Sequence, residues 1–408
     1  MSSSDSRLDY LDAARAFALL LGVVFHAGLS FLPVYIGWAV QDISTSAWVA
    51  VLGTISHSFR MELFFLLAGF FSHMTLGRKG LFNFLSSRAT RIIIPFVVGW
   101  FILRPLIVSG WIMGGASMQG DYEFWPSVLG GLAELREMSG GVLVGTHLWF
   151  LYYLVLITAG VLIGRFLVRV LTKNSDRLPI HVDRAIAWLG SSRWTLLIMA
   201  IPITIMLGYM NNWGMDTPDK SLVPHVPALL IYGGFFSLGW LLHRQPEALI
   251  TFSRITPSRV IALILSIGCV VALMGIQGDP GHPKAHLARH IFHVGYAVMM
   301  WTLVWLTIGI FRLLVTRPSA VVRYIADSSY WMYLIHLPIV VWLQVVVAEW
   351  EIHWSLKLTG VSLATIVIAL LTYDLLVRST WLGKLLNGRR RDRVLTHSRR
   401  RPSRHDPR

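Results

Sequence analysis

Apolar runs of about twenty residues recur along the whole chain, separated by shorter polar connections. Roughly twenty helical residues cross the ~30 Å hydrocarbon core of a bilayer. The pattern therefore predicts an all-α, polytopic integral membrane protein with about ten transmembrane helices, near residues 11–32, 47–75, 92–113, 144–168, 194–211, 226–243, 258–276, 291–311, 329–348 and 359–378. The second run is overlong, which predicts a tilt or a break, and the sixth is short. With no long polar insertion, residues 1–380 read as a single transmembrane domain. Residues 381–408 read as a basic, disordered tail.

Composition agrees: 55% of residues are hydrophobic, only 14% are charged, and mean hydropathy is +0.60. A water-soluble fold is excluded. Cys269 is the only cysteine, so no internal disulfide can form. A net charge of +15 would point to nucleic acid in a soluble chain. Here it is a topology signal, because Lys and Arg accumulate in cytoplasmic loops. With the amino terminus inside, the inner segments hold 27 Lys and Arg against five outside; without the tail the balance is still 16 to five. Both termini are expected to be cytoplasmic in a bacterial inner membrane, with membrane lipid and not nucleic acid beside the tail. Met1 to Ser6 is short and polar and the first span is long, so that span is expected to stay as a signal anchor.

Polar residues inside the apolar runs carry the candidate chemistry, since such groups are costly in lipid. His26 lies eleven residues after Arg15 on the same face of the first helix, about 16 Å along its axis, and Asp12 can pair with Arg15. One reading is a ligand stretched between the cation and the imidazole; the other is an interfacial anchor plus a structural histidine. On the second helix His57, Arg60 and Phe64 share a face and Glu62 points elsewhere. Arg60 either binds an anion or neutralises Glu62, and Gly69 permits a close helix approach or a break. Arg88 and Arg91, at an expected helix start, suit phosphates through their planar forks and free amide groups, or simply flank the span. His147 beside Trp149 can orient a sugar, Trp149 also fitting an interfacial belt. His336, placed nearer the inner side, and Asp374 read first as structural. His286, His290 and His293 share a face, but without an accompanying carboxylate or Cys no metal site is assigned. The outer loop with Asp121, Tyr122, Glu123, Phe124, Trp125, Glu134 and Glu137 is a candidate acceptor surface, or a floppy interfacial loop.

The opening Leu8-Asp9-Tyr10-Leu11-Asp12-Ala13-Ala14-Arg15-Ala16, the Arg15 to His26 spacing, and Phe64-Phe65-Leu66-Leu67-Ala68-Gly69-Phe70 resemble the signatures of acyltransferase family 3, a family of integral membrane O-acyltransferases. Arg88-x-x-Arg91-Ile92 with Pro95 does so too. His57-Ser58-Phe59-Arg60-Met61, His147-Leu148-Trp149-Phe150-Leu151 and Tyr333-Leu334-Ile335-His336 resemble the branch of that family that acts on osmoregulated periplasmic glucans. Ala68 departs from the broader family, which often has Ser there, so a hydroxyl role at that position is in doubt.

The resemblance implies transfer of a succinyl group from cytoplasmic succinyl-CoA, as substrate and not as a resident cofactor, to hydroxyls of a periplasmic glucan. In that frame Arg15, Arg88 and Arg91 bind the coenzyme A phosphates. His26 and Arg60 are the catalytic candidates, His26 as general base or acyl carrier and Arg60 as oxyanion stabiliser or succinate clamp. His57, Glu62, His147, Trp149 and His336 are the substrate-binding candidates. An acetyltransferase acting on another envelope polymer is an alternative. A glycan or lipid transporter is the competing class, although no internal repeat is evident and the buried charges concentrate in the first hundred residues. A homodimer or glucan-synthesis partners are open.

Overall fold

Helices form where the apolar periodicity places them, and capping residues set many of their starts. The computed structural model describes residues 8–117, 122–137, 144–173, 177–279 and 281–395. The chain opens with α1 (Asp9–Gly28), α2 (Ala47–His57), α3 (Arg60–Arg88) and α4 (Ile94–Ser117). It continues through α5 (Phe124–Glu137), α6 (Trp149–Leu171), α7 (Arg177–Ser191), α8 (Thr195–Leu207) and α9 (Val226–Arg244). Then follow α10 (Pro246–Phe252), α11 (Pro257–Gln277), α12 (Ala285–Leu314), α13 (Ala320–Val347), α14 (Trp354–Thr372) and α15 (Trp381–Asn387). Ser46, Thr256 and Ser319 accept backbone N–H groups at the starts of α2, α11 and α13, and Pro257 opens α11 where its missing N–H costs nothing.

Among the described residues eight stretches are long and apolar enough to cross a membrane, or up to nine if the bent pair α7–α8 counts as one. The differences from the expected spans have local causes. The second expected span is two helices, because the chain leaves helical geometry between His57 and Arg60, where Phe59 has φ −139° and ψ −19°. That pair runs on into α4 as one apolar stretch of 71 residues, Ala47–Ser117. The expected span at 194–211 is only the 13-residue α8, too short to cross alone and bent 111° from α7. The loop expected as an acceptor surface or a floppy segment folds as α5, its Gly131 lying against the carbonyl of Pro105 on α4; Asp121 lies outside the described residues. The expected tail starts as α15, and Asp374 accepts the N–H groups of Val394 and Leu395. Residues 396–408 lie outside the described residues.

Lipid offers no hydrophobic drive between helices, so close packing and buried polar bonds hold such a bundle together. α1 runs among α3, α12, α13 and α14. α3 and α9 cross through a reciprocal pair of glycines: Gly69 lies on the carbonyl of Phe236, and Gly239 lies on the carbonyl of Leu66. Gly69 therefore serves close approach; the helix is interrupted instead at Gly80, whose φ of +72° suits glycine. On the face opposite the termini, Lys357 donates to Asp42 at 2.7 Å, both side chains 1% exposed, and Asp42 also accepts the Ser44 N–H. This pair fixes the segment 32–46 against α14.

Gly239→Val is expected to lower stability in detergent by about 1–3 kcal/mol or more, because the added carbons meet backbone that cannot move. Gly234→Ala, on the same helix with open space around its Cβ, is expected to be neutral. Thermal melting of both purified variants checks this; equal melting temperatures would show that the glycine crossing is not what holds α3 to α9.

Candidate active site

His26 sits two residues before the end of α1, and its neighbours arrive from three other places in the chain. α13 brings His336, with ring centroids 5.2 Å apart. The segment 32–46 brings Trp38, which stacks on His26 at 5.8 Å with 17° between the planes. The start of α6 brings His147 to within 5.6 Å of His336. These groups line a cavity of about 1430 Å³ that also touches Gly22, Phe25, His57, Arg60, Phe64 and Tyr333. It extends to the connection 211–225, and towards the face of the termini Phe64, Phe150 and Tyr333 pack together at 5.6 and 5.8 Å.

Hydrogen bonds fix the imidazoles. His336 Nδ1 faces the carbonyls of Tyr333 and Met332 at 2.8 and 3.2 Å, so it carries the proton and leaves Nε2 as the acceptor. His147 Nε2 likewise donates to Leu334 at 2.9 Å, while the Tyr333 hydroxyl donates to the His147 carbonyl. His57 Nε2 faces the Met215 carbonyl at 3.0 Å and stacks on Phe25. Neither ring nitrogen of His26 hydrogen-bonds a described residue, and its Nδ1 is buried. Each of the other three keeps one ring nitrogen without a partner, whereas His26 alone among these four imidazoles makes no hydrogen bond to a described residue from either nitrogen. No group of three or more His, Cys, Asp or Glu among the described residues could hold a metal ion, and this includes His286, His290 and His293.

Arg60 is 5% exposed; its guanidinium lies 4.4 Å from the Phe25 ring centre, and its Nη1 is buried without a hydrogen-bond partner. It lies beside Gly22 of α1, where a Cβ would be in ordinary contact with it at 3.7 Å. His57 and Arg60 come from two helices, not from one face of a single helix as the spacing suggested. Both nevertheless reach the cavity. Glu62 is fully buried and does not line it; neither carboxylate oxygen is hydrogen-bonded, and the group interacts through space with Arg60, Tyr232 and Tyr296. Trp149 lines the cavity but is 6% exposed and stacks on Tyr232 at 5.6 Å, a packing position and not an interfacial belt. His336 does not lie near the inner side as expected: α13 starts at Ala320, nine residues before the expected boundary, which brings His336 beside His26.

The three remaining arginines separate. Arg15 pairs with Asp12 at 3.1 Å and does not line the His26 cavity. Arg88 donates to Ser72 Oγ at 2.6 Å and stands over Phe84. Arg91 lines a second cavity. Neither Arg88 nor Arg91 is at a helix start: α3 passes into α4 through a π-helical turn, Ala89–Ile93, which leaves no free amide groups for an anion.

Two groups central to this arrangement escaped the sequence reading. Gln344, fully buried, donates to the carbonyls of His26 and Ala27, both at 3.0 Å, and accepts the Trp38 indole N–H at 2.9 Å. It joins α13, the end of α1 and the ring stacked on His26. Arg104, 4% exposed, pairs with Glu134 of α5 at 2.9 Å on the cavity wall. The signal for both was available, since each interrupts or faces an apolar run.

Apolar spans around a buried imidazole cluster define a multi-pass membrane protein with a polar-lined cavity inside the bundle. A family model described as an acyltransferase domain, acyltransferase 3, matches residues 8–374, and the chain belongs to that family. Glucans biosynthesis protein C of Salmonella typhi is 26% identical over 407 residues, covering 95% of this chain and 97% of that protein. The protein of the same name from Escherichia coli (strain K12) is 26% identical over 390 residues, covering 93% and 94%. No solved structure matches the chain.

Gln344→Leu is expected to lower kcat for acyl transfer on the order of 100-fold, the scale of a misplaced reacting group, with KM for the acyl donor unchanged. Steady-state kinetics on the purified variant measures the split. A rise in donor KM at constant kcat would contradict a role in holding His26.

Proposed function

We propose that this acyltransferase moves succinyl from cytoplasmic succinyl-CoA to hydroxyl groups of osmoregulated periplasmic glucan, across an inner membrane with both termini inside. The observation that carries the reading is the unpartnered imidazole of His26 in a cavity shared with Arg60, His147 and His336. The Lys and Arg bias supports the orientation, and the printed name of the relatives supports the glucan.

In the proposed reaction the His26 imidazole takes the proton of a sugar hydroxyl as its oxygen attacks the thioester carbonyl. The tetrahedral intermediate collapses, the C–S bond breaks, and the imidazolium returns the proton to the departing thiolate. The products are a sugar ester and free coenzyme A. Arg60 clamps the distal succinyl carboxylate: one face of its guanidinium is covered by Phe25, while a buried N–H is left to donate. A charge-assisted bond of this kind is short, directional and specific for an anionic acyl group. His147 and His336, held by backbone carbonyls, border the acceptor sugar.

Arg60→Ala is expected to lower kcat/KM for succinyl-CoA by about 10- to 100-fold, the range of a hydrogen bond to a charged group, and to leave acetyl-CoA use unchanged. Purified protein, both donors and isolated glucan, with ester content read by mass spectrometry, make the test. Retained succinyl preference would overturn the clamp, and no ester from either donor with wild-type protein would overturn the proposed reaction.

A further inference from the structure

The His26 cavity has an outer part that the proposed reaction leaves unused. Apart from Arg60, the Asp, Glu, Lys and Arg residues lining the cavity are Arg104, Glu134, Asp216, Asp219 and Lys220. The last three belong to the connection 211–225, which leads from α8 to α9.

This connection is a fixed wall and not a loose loop. The Met215 carbonyl accepts from His57 Nε2 at 3.0 Å, and the Thr217 hydroxyl lies 3.3 Å from the same nitrogen. Ser221 forms a β-bridge with Val144, and the Gly145 N–H donates to the Lys220 carbonyl at 3.1 Å. A Cβ at Gly145 would collide with the Asp219 carbonyl, so the two segments meet backbone to backbone. His147 stands two residues further on. The clamp that seats Asp219 therefore also seats an imidazole of the site.

The two acids of the connection differ. Asp216 is committed: it accepts the backbone and side-chain N–H groups of both Asn211 and Asn212, at 2.7 to 3.0 Å. Those bonds leave the side-chain carbonyl oxygens of the two asparagines, which also line the cavity, without a donor among the described residues. Asp219 is half-buried on the cavity wall, and its carboxylate has no side-chain hydrogen-bond partner among the described residues. Burial pushes its pKa above the ordinary carboxylate value, as expected of a charge short of hydrogen bonds. Lys220, the one Lys or Arg of the connection, is its exposed neighbour. Arg104 does not compensate it, being paired with Glu134 at 2.9 Å.

The wall thus presents carboxylate and amide oxygens that lack donors. We propose that the outer part of the cavity is a subsite for a neutral, polyhydroxylated chain, in which Asp219 accepts hydroxyls of the glycosyl unit next to the one that reacts. An ionised carboxylate only accepts, through two oxygens, and neighbouring hydroxyls of a sugar match it. A phosphate or carboxylate on an anionic polymer would instead bring like charge to Asp219, with no unpaired guanidinium on that wall to offset it. The proposal rests on the acyl-transfer reading given above and adds which kind of acceptor the site takes. Asp219 acts on specificity, away from the reacting atoms.

The test uses unsubstituted glucan isolated from cells that lack this chain. Asp219→Ala is expected to raise KM for this glucan about tenfold, the scale of a hydrogen bond to a charged group, with kcat and KM for succinyl-CoA unchanged. Asp219→Asn, which keeps the shape and one acceptor oxygen, is expected to recover part of the loss. An unchanged glucan KM, or an equal rise in the donor KM, overturns the assignment. Calorimetric titration of the glucan into full-length protein without donor separates this proposal from the reaction itself. Binding by wild type that weakens about tenfold in Asp219→Ala supports the subsite even if succinyl-CoA is not turned over; no binding, or equal binding by the two, overturns it. The same glucan oxidised to carry uronate carboxylates is expected to bind wild type several-fold more weakly, and equal affinity overturns the preference for a neutral chain.

Discussion

A single buried carboxamide ties the region around His26 together. Gln344 spends both amide hydrogens on consecutive carbonyls of α1, at His26 and Ala27, and its oxygen on the indole that stacks on His26. In a bilayer an unsatisfied amide has no water to turn to. The three bonds therefore set the register of α13 against the end of α1, and α13 carries His336 in that same register. The Asp42–Lys357 pair does the corresponding work for the segment bearing Trp38. Breaking such a buried pair from one side costs about 3–5 kcal/mol because a charge is left without its partner.

The resulting interior is divided. A large cavity around His26 lies on one side of the Phe64, Phe150 and Tyr333 rings, and a cleft lined by Lys79, Arg91 and Lys384 lies at the face of the termini. On the function proposed above, a donor and an acceptor would meet at one imidazole, an arrangement that suits group transfer more readily than passage of an intact substrate. The arginines divide in the same way: buried Arg60 lines the His26 cavity, Arg91 lines the cleft, and Arg88 is engaged with Ser72 within α3.

Much of this was legible in the chain because ionisable groups in apolar runs are conspicuous. His26, His57, Arg60, His147 and His336 all emerge that way, and the structure lines one cavity with them. Helix register was harder to read. A break at Phe59 separated His57 from Arg60, and an early start of α13 moved His336 up to the level of His26; neither is visible in hydropathy, which reports apolar length and not backbone geometry. Gln344 does not stand out in the sequence because a neutral amide carries no charge, although its burial cost is of the same kind. In the sequence Lys79 and Lys384 are simply two of the many cations of the inner segments. Only the turn at Gly80 and the docking of α15 reveal that they face one cleft.

The most direct measurement of the central claim uses glucans isolated from cells that lack this chain and are complemented at matched membrane abundance with wild type or His26→Ala. Ester-linked succinate is quantified by mass spectrometry. The account predicts succinylated glucan with wild type alone. Full restoration by His26→Ala would contradict it.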